Sequence, residues 1–284
     1  MSSRQPRTQR LASAGSIAIV AASLLLCNGA RAQREFREYP SFEGAAADAP
    51  LPPDYQVPGE LVIGRLMYPG AGFGFGDWRQ GYASWTDDYP RGDRTLVQMI
   101  RRFTRTNVRA VEQPINLEDG DDVDYWPFMV VGLASHWELT EEMAANLRAY
   151  LLRGGFLFAD SFFGTRNWVG FAQNLRRVFP NRPIIDVPDD HPIFHIVFDV
   201  PQPTSVQIPN ANSLMRGGPG WMSDGATPHW RGVEDDDGRL IILIAHNNDV
   251  MDGWQWADDI RYPTEEANLS LRIGVNVVMY AMTH

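Results

Sequence analysis

Residues 127–161 read PFMVVGLASHWELTEEMAANLRAYLLRGGFLFADS, and their pattern decides the fold. Residues 128–133 form a short apolar run with two β-branched valines, Val130 and Val131, bounded by Pro127 and a polar loop. Such a run suits a strand buried on both faces, as in a parallel sheet. Thr140 can cap a helix, and Glu141 and Glu142 fall in its positive first turn. Met143, Leu147, Tyr150 and Leu151 recur at three- and four-residue steps, which gives that helix one face to lay on a sheet. Gly154 stands where a left-handed C′ residue is wanted, and Phe156-Leu-Phe-Ala159 begins the next strand at once. The stretch is one βαβ unit with a short, right-handed crossover.

The chain extends from this unit in both directions. Residues 60–68 (with Leu61-Val-Ile-Gly-Arg-Leu-Met67) predict a first strand, and Asp93 predicts the cap of a helix ending near Thr106, with Leu96, Met99, Ile100 and Phe103 inward. A short strand is expected at 108–111, a helix at 167–179, a strand at 183–187, a strand at 239–245 and a closing helix at 265–282. Residues 201–232 are rich in Pro and Gly and predict a long surface excursion. Strands alternating with helices imply an α/β domain with a doubly wound, mostly parallel sheet over residues 60–284.

Residues 1–32 belong to a different argument. Arg4, Arg7 and Arg10 precede an apolar segment at 11–27, and Ala30-Arg31-Ala32 is a small-x-small cleavage site, the layout of a secretory signal peptide. Export to the periplasm or beyond is therefore expected, with membrane attachment only through this segment if it is retained. Removing residues 1–32 leaves 252 of the 284 residues, and the loss of four arginines takes the formal charge from −10 to −14. Cys27, the one cysteine, leaves with them, so no disulfide, thiol nucleophile or thiolate ligand is expected in the mature protein. The chain contains no lysine, which excludes Schiff-base chemistry and a P-loop lysine. So acidic a chain is a poor partner for nucleic acid. Residues 33–59, with Pro40, Pro50, Pro52, Pro53 and Pro58, read as an extended leader on the domain surface.

Some local patterns tempt a more specific reading. The run Gly70-Ala-Gly-Phe-Gly-Phe-Gly76 departs from the dinucleotide fingerprint, because Pro90 and Gly92 intervene before any helix opens. It reads as an aromatic-rich loop, and Tyr82 and Trp85 could form a binding lip for sugars or peptides. The acidic run at 118–124 lacks EF-hand spacing and reads as a solvated turn. His191 and His195 would share a helical face if Asp190 capped a short helix, with Asp189, Asp190 or Asp249 as a third ligand. His195 in the run Phe194-His-Ile-Val-Phe198 equally suits a packing role, so no metal and no cofactor is expected.

In open α/β sheets ligands bind beyond the carboxyl ends of the strands. Four segments fall there: Tyr68-Pro-Gly70, Ser135-His136-Trp137, Asp160-Ser161 and His246-Asn-Asn-Asp249. The ligand-binding set is therefore His136, Asp160, Ser161, His246, Asn248 and Asp249. If the site is catalytic, Asp160 would work with His136 or His246 as acid and base. Each of these residues also suits a helix cap or a turn, Asp160 as cap of the following helix among them.

The segments Arg153-Gly-Gly-Phe-Leu-Phe-Ala-Asp-Ser161, His191-Pro-Ile-Phe-His195, Gly238-Arg-Leu240, His246-Asn-Asn-Asp249 and Gly274-Val-Asn-Val-Val-Met-Tyr280 resemble a bacterial family known as domain of unknown function 4159. The unit ending at Ser161 also resembles the class I glutamine amidotransferase-like (flavodoxin-like) fold. That resemblance implies a three-layer architecture with a nucleophile turn after the strand at 156–159. The turn here holds Asp160-Ser161 and no cysteine, so glutaminase chemistry is not expected, and Ser161 lies in no G-x-S-x-G elbow. Family members are often exported or membrane-attached. The expectation is a non-catalytic envelope module that binds an envelope protein or a small polar ligand. The alternative is a hydrolase of sugars or peptides.

Overall fold

The computed structural model describes residues 35–70 and 76–284. The expected signal peptide and most of the glycine run lie outside the described residues. Seven strands form one sheet in the order β2-β1-β3-β4-β7-β6-β5. They are β1 (Ile63–Met67), β2 (Gln113–Asn116), β3 (Phe128–Val131), β4 (Phe156–Phe162), β5 (Ile185–Asp186), β6 (His229–Glu234) and β7 (Leu240–His246). The pairs from β2 through β7 are parallel, while β6 and β5 add an antiparallel edge. Val130 pairs with Phe158, and Leu157 with Ile242, so the three runs read as central strands lie side by side and run the same way.

The helices are α1 (Arg91–Phe103), α2 (Glu141–Leu152), α3 (Gly164–Val178), α4 (Ala211–Met215), α5 (Val250–Gln255) and α6 (Thr264–Thr283). Two cores result, one on each face of the sheet. Leu96, Ile100, Trp254 and Val277 of α1, α5 and α6 pack with Phe156, Phe158 and Leu243. Met143, Leu147, Phe171 and Leu175 of α2 and α3 pack with Leu157, Ala159 and Ile244. The central strands are buried along their whole length, which is why they read as unbroken apolar runs. Among the described residues no helix is long and apolar enough to cross a membrane.

The local chemistry of the βαβ unit is as its sequence requires. Thr140 Oγ1 accepts from the Met143 amide at 3.1 Å, and Gly154 takes φ +108° after the Arg153 C-cap.

Elsewhere the sequence expectations need correction. The second strand lies at Gln113–Asn116, and Val108 makes only an isolated bridge to Leu61. Asp93 sits inside the first turn of α1 and is spent on Arg65, so it caps nothing. Phe103 is exposed on the helix end and Met99 only partly buried. Trp85 is fully buried, with its Nε1 donating to the Trp78 carbonyl, which leaves Tyr82 as the exposed aromatic of the supposed lip. The excursion at 201–232 contains α4 and the start of β6, a strand whose polar, Gly-containing sequence hides it. The leader lies on the domain through hydrogen bonds. Tyr39 N donates to Tyr89 Oη at 3.0 Å, and Ser41 Oγ to the Thr86 carbonyl at 2.8 Å.

Leu157 has no exposed surface and sits in mid-sheet between β3 and β7. Leu157→Ala is expected to cost about 2–5 kcal/mol in urea unfolding, whereas Phe103→Ala, at an exposed helix end, should cost well under half of that.

Candidate functional site

The carboxyl ends of the parallel strands meet an acidic recess. Asp160 closes β4, Asp249 follows β7, Asp252 lies one turn into α5, and Asp87 and Asp88 come from the loop between β1 and α1. Glu43 reaches in from the leader: its Oε2 accepts from the Asp88 amide at 2.7 Å and from Gln255 Nε2 at 3.0 Å. Asp88, Asp160, Asp249 and Asp252 are buried, whereas Glu43 and Asp87 keep some exposure and mark the mouth.

Backbone and side-chain donors meet part of this charge. Asp160 Oδ2 accepts from the Met251 amide at 2.7 Å, so this residue caps α5 across the sheet edge and not the helix that follows it. Asp249 Oδ1 accepts from Ser161 Oγ at 2.8 Å and its Oδ2 from Asn210 Nδ2 at 2.8 Å. Asp252 Oδ2 takes Asn210 Nδ2 at 3.0 Å and the Ala211 amide at 2.7 Å, and its Oδ1 takes Trp256 Nε1 at 3.0 Å. Among the described residues, three buried oxygens of this cluster have no hydrogen-bond partner: Asp88 Oδ2, Asp160 Oδ1 and Gln255 Oε1.

Burial holds the carboxyls of Asp87, Asp88, Asp160 and Asp252 well above the ordinary range, and the negative charges of neighbouring acids push the same way, with Arg65 opposing them at Asp87. Glu43 and Asp249 are raised as well, again by burial first. Close by, Arg65 of β1 is wholly buried. Its Nε and Nη2 bind the Asp93 carboxylate at 3.2 and 2.9 Å, and its Nη1 donates to the Asp87 carbonyl at 3.2 Å. That pair fixes α1 and the 87–88 loop to the sheet.

Non-glycine residues with positive φ gather around the recess: Asp88 (60°), Leu133 after β3 (42°), Ser161 in the β4 bulge (62°) and Asn247 after β7 (61°). Such conformations cost on the order of 1–3 kcal/mol each and concentrate at working sites.

The residues named from sequence separate into two groups. Asp160, Ser161 and Asp249 come together. Asn248 is beside them, with its Oδ1 accepting the Ile208 amide at 3.0 Å, so it brackets the chain. The histidines do not join them. Along β4, Phe156 and Phe158 face α1, α5 and α6, and Asp160 continues that face. Along β7, Ile242 and Ile244 face α2 and α3, and His246 continues the other. Asp160 and His246 therefore stand on opposite sides of the sheet, because side chains alternate along a strand. His246 is bound by Arg231 Nη1 at 2.9 Å and by the Gly164 carbonyl at 3.3 Å, and it stacks on Phe162 and His229. His136 lies in the turn after β3, with Nδ1 3.3 Å from Ser84 Oγ, and burial lowers its pKa. Gly70 passes so close that a Cβ there would lie 1.8 Å from the His136 carbonyl oxygen.

His191 and His195 share no face. They flank a single 3-10 turn, Pro192–Phe194, whose N-cap is His191 and not Asp190. Both ring nitrogens of His195 are engaged, with Asp199 at 2.6 Å and the Asp189 carbonyl at 2.8 Å.

Sequence reading missed Glu43, Asp87, Asp88 and Asp252. The one available signal was the spacing of Asp249 and Asp252, three apart and so on one face of a helix.

Burial, with help from the charge of Arg231, depresses the His246 pKa to about 4. An unfolded histidine takes its proton near 6.5. The folded state refuses that proton, so stability is lost as pH falls from about 6.5 to about 4. The wild type should lose on the order of 2 kcal/mol more than His246→Gln across that window, read from paired urea titrations. Asp93→Asn should cost about 3–5 kcal/mol at neutral pH, because it leaves the Arg65 guanidinium buried without its counter-charge.

No curated protein matches the chain at a significant level. The family described as "Domain of unknown function (DUF4159)" matches residues 75–282. That span includes every strand but β1 and every helix, together with five of the six carboxylates of the recess, and the chain belongs to this family.

Proposed function

We propose that this chain is an exported, non-catalytic envelope module whose acidic recess holds a positively charged group on a small polar ligand or a partner protein. The observation that carries the reading is the set of six carboxylates at the strand ends, two of them with buried oxygens that no protein group satisfies. Two carboxylates 4 Å apart repel by about 4 kcal/mol at an effective dielectric of 20. A cationic ligand removes that penalty and gains the unused acceptors. A cleft of about 570 Å³ lined by Tyr39, Ser41, Gly44, Tyr82 and Pro90 lies between the leader and the loop before α1, close along the chain to Glu43 and Asp88.

Binding is favoured over hydrolysis by the surroundings of Asp160. Its bonded oxygen serves the Met251 amide, and both candidate histidines have their partners elsewhere. The hydrolase reading needs a base within about 3 Å of its acid or substrate. Export rests on the N-terminal pattern of arginines, apolar run and small-residue cleavage site. The strand order β2-β1-β3-β4, with β7 in the fifth place, supports the class I amidotransferase-like, flavodoxin-like scaffold. On that scaffold Ser161 occupies the turn where a cysteine would act. Ser161 instead donates to Asp249 and is buried.

The test is a thermal-shift series in EDTA with polyamines, amino sugars and arginine-containing peptides against neutral sugars. Cationic ligands should raise the melting point by several degrees, since a ligand at a hundred times its Kd adds about 2.7 kcal/mol. Asp87→Asn, at the mouth, should abolish the shift. No shift with any cationic ligand, an unchanged shift in the variant, or ligand cleavage that depends on Asp160 would overturn the reading.

A further inference from the structure

We propose that Asp88, Asp249 and Asp252, supported by Asp160, hold one hard divalent cation of the calcium type, and that this ion clamps the leader onto the domain. The inference rests on reading the recess as a binding site and names the core of what it binds. Asp88, Asp249 and Asp252 each offer one carboxylate oxygen, and the three lie within 4.8 Å of one another. Some point therefore lies within about 2.8 Å of all three oxygens, and calcium bonds oxygen at about 2.3–2.6 Å. Side-chain adjustment of a few tenths of an ångström closes the difference.

Proximity of acids would not be enough by itself. The second observation is the set of buried acceptors left over. Asp88 Oδ2 is unpartnered on a residue 1% exposed, and Asp160 Oδ1 on one with no exposure. Gln255 Oε1 is a neutral amide oxygen on a residue with no exposure, and it too is unpartnered. The nitrogen of the same amide donates to Glu43 Oε2, the oxygen that receives the Asp88 amide, so the Gln255 head group adjoins Asp88. A Cβ placed on Gly92 would lie 3.3 Å from Asp88 Cβ, 3.4 Å from the Met251 carbonyl oxygen and 3.7 Å from the Gln255 backbone nitrogen, so the start of α1 and α5 close the same space.

The donor chemistry selects the ion. The groups on offer are carboxylate and amide oxygens, and among the described residues no cysteine or histidine joins the cluster. Such sets suit calcium, magnesium and manganese, and calcium best tolerates mixed, irregular oxygen geometry. Glu43, bonded to both the Asp88 backbone and Gln255, ties residues 35–58 to the ion's surroundings.

The experiment uses the chain with its leader retained, stripped with EDTA and then titrated with calcium, magnesium or manganese chloride. Metal content is counted per chain, and melting point and leader proteolysis are followed. Calcium should saturate at one ion per chain, raise the melting point by roughly 5 °C or more and protect the leader from protease. Asp88→Asn removes a charge whose oxygen accepts no hydrogen bond. In EDTA this variant should therefore melt no lower than wild type, while its calcium affinity falls about tenfold or more. Asp252→Asn should lower affinity too, at a cost in stability that Asp88→Asn does not share. A larger response to magnesium or manganese supports the hard-cation site and identifies its ion. Absence of a bound ion and of any melting shift with all three salts overturns the proposal, as does an undiminished calcium response in Asp88→Asn. If the salts fail while cationic organic ligands still act through Asp87, the ion is wrong and the binding reading stands. Failure of both removes both.

Discussion

Carboxylates taken out of water must lose their charge or be matched by positive charge, and the architecture around the strand ends is organised by that demand. Four aspartates are buried there, and two more acids stand at the mouth. The helix start at Met251, the Ala211 amide, Ser161, Asn210 and Trp256 each contribute a donor to them. Arg65, the guanidinium set into β1, is committed to Asp93 and a backbone carbonyl. The recess therefore keeps more acid than its own donors can compensate, a condition better suited to holding something positive than to activating a nucleophile.

The sheet also divides the chemistry of the molecule. One face carries the acids, above the core of α1, α5 and α6. The opposite face carries His246 among Arg231, Trp168, Phe162 and His229, with the Arg231 guanidinium 4.0 Å from the Trp168 ring centre. An imidazole whose Nδ1 faces a guanidinium and whose ring is stacked on aromatics stays neutral. Acid and candidate base are thus separated by the thickness of the sheet. The β4 bulge is where that separation is set, because it aims Ser161 at Asp249 while Phe162 turns to the other core.

The leader changes meaning in three dimensions. Its sequence, rich in proline and alanine, shows no periodicity from which to infer contacts. Folded, it lies against the 82–89 loop through Tyr39 and Ser41, and it delivers Glu43 and the Ala46 carbonyl to Gln255. A segment that reads as an extended leader on the surface thus contributes a wall of the recess.

The sequence alone determined the βαβ unit, the mostly parallel sheet, the exclusion of lysine chemistry and the placing of Asp160, Ser161 and Asp249 at strand ends. Those features follow from hydrophobic period, cap residues and composition, all of which act over a few residues. The short, polar strands β2, β5 and β6 were misplaced or only partly legible, because their stability comes from pairing with partners far along the chain. Tertiary structure alone decided that His246 stands apart from the acids, since strand register chooses which face a side chain takes, and that His136 turns to Ser84. It also decided that Glu43, Asp87, Asp88 and Asp252 converge. Loops and a leader carry no period, so beyond the spacing of Asp249 and Asp252 nothing in the sequence could say that these acids share one recess.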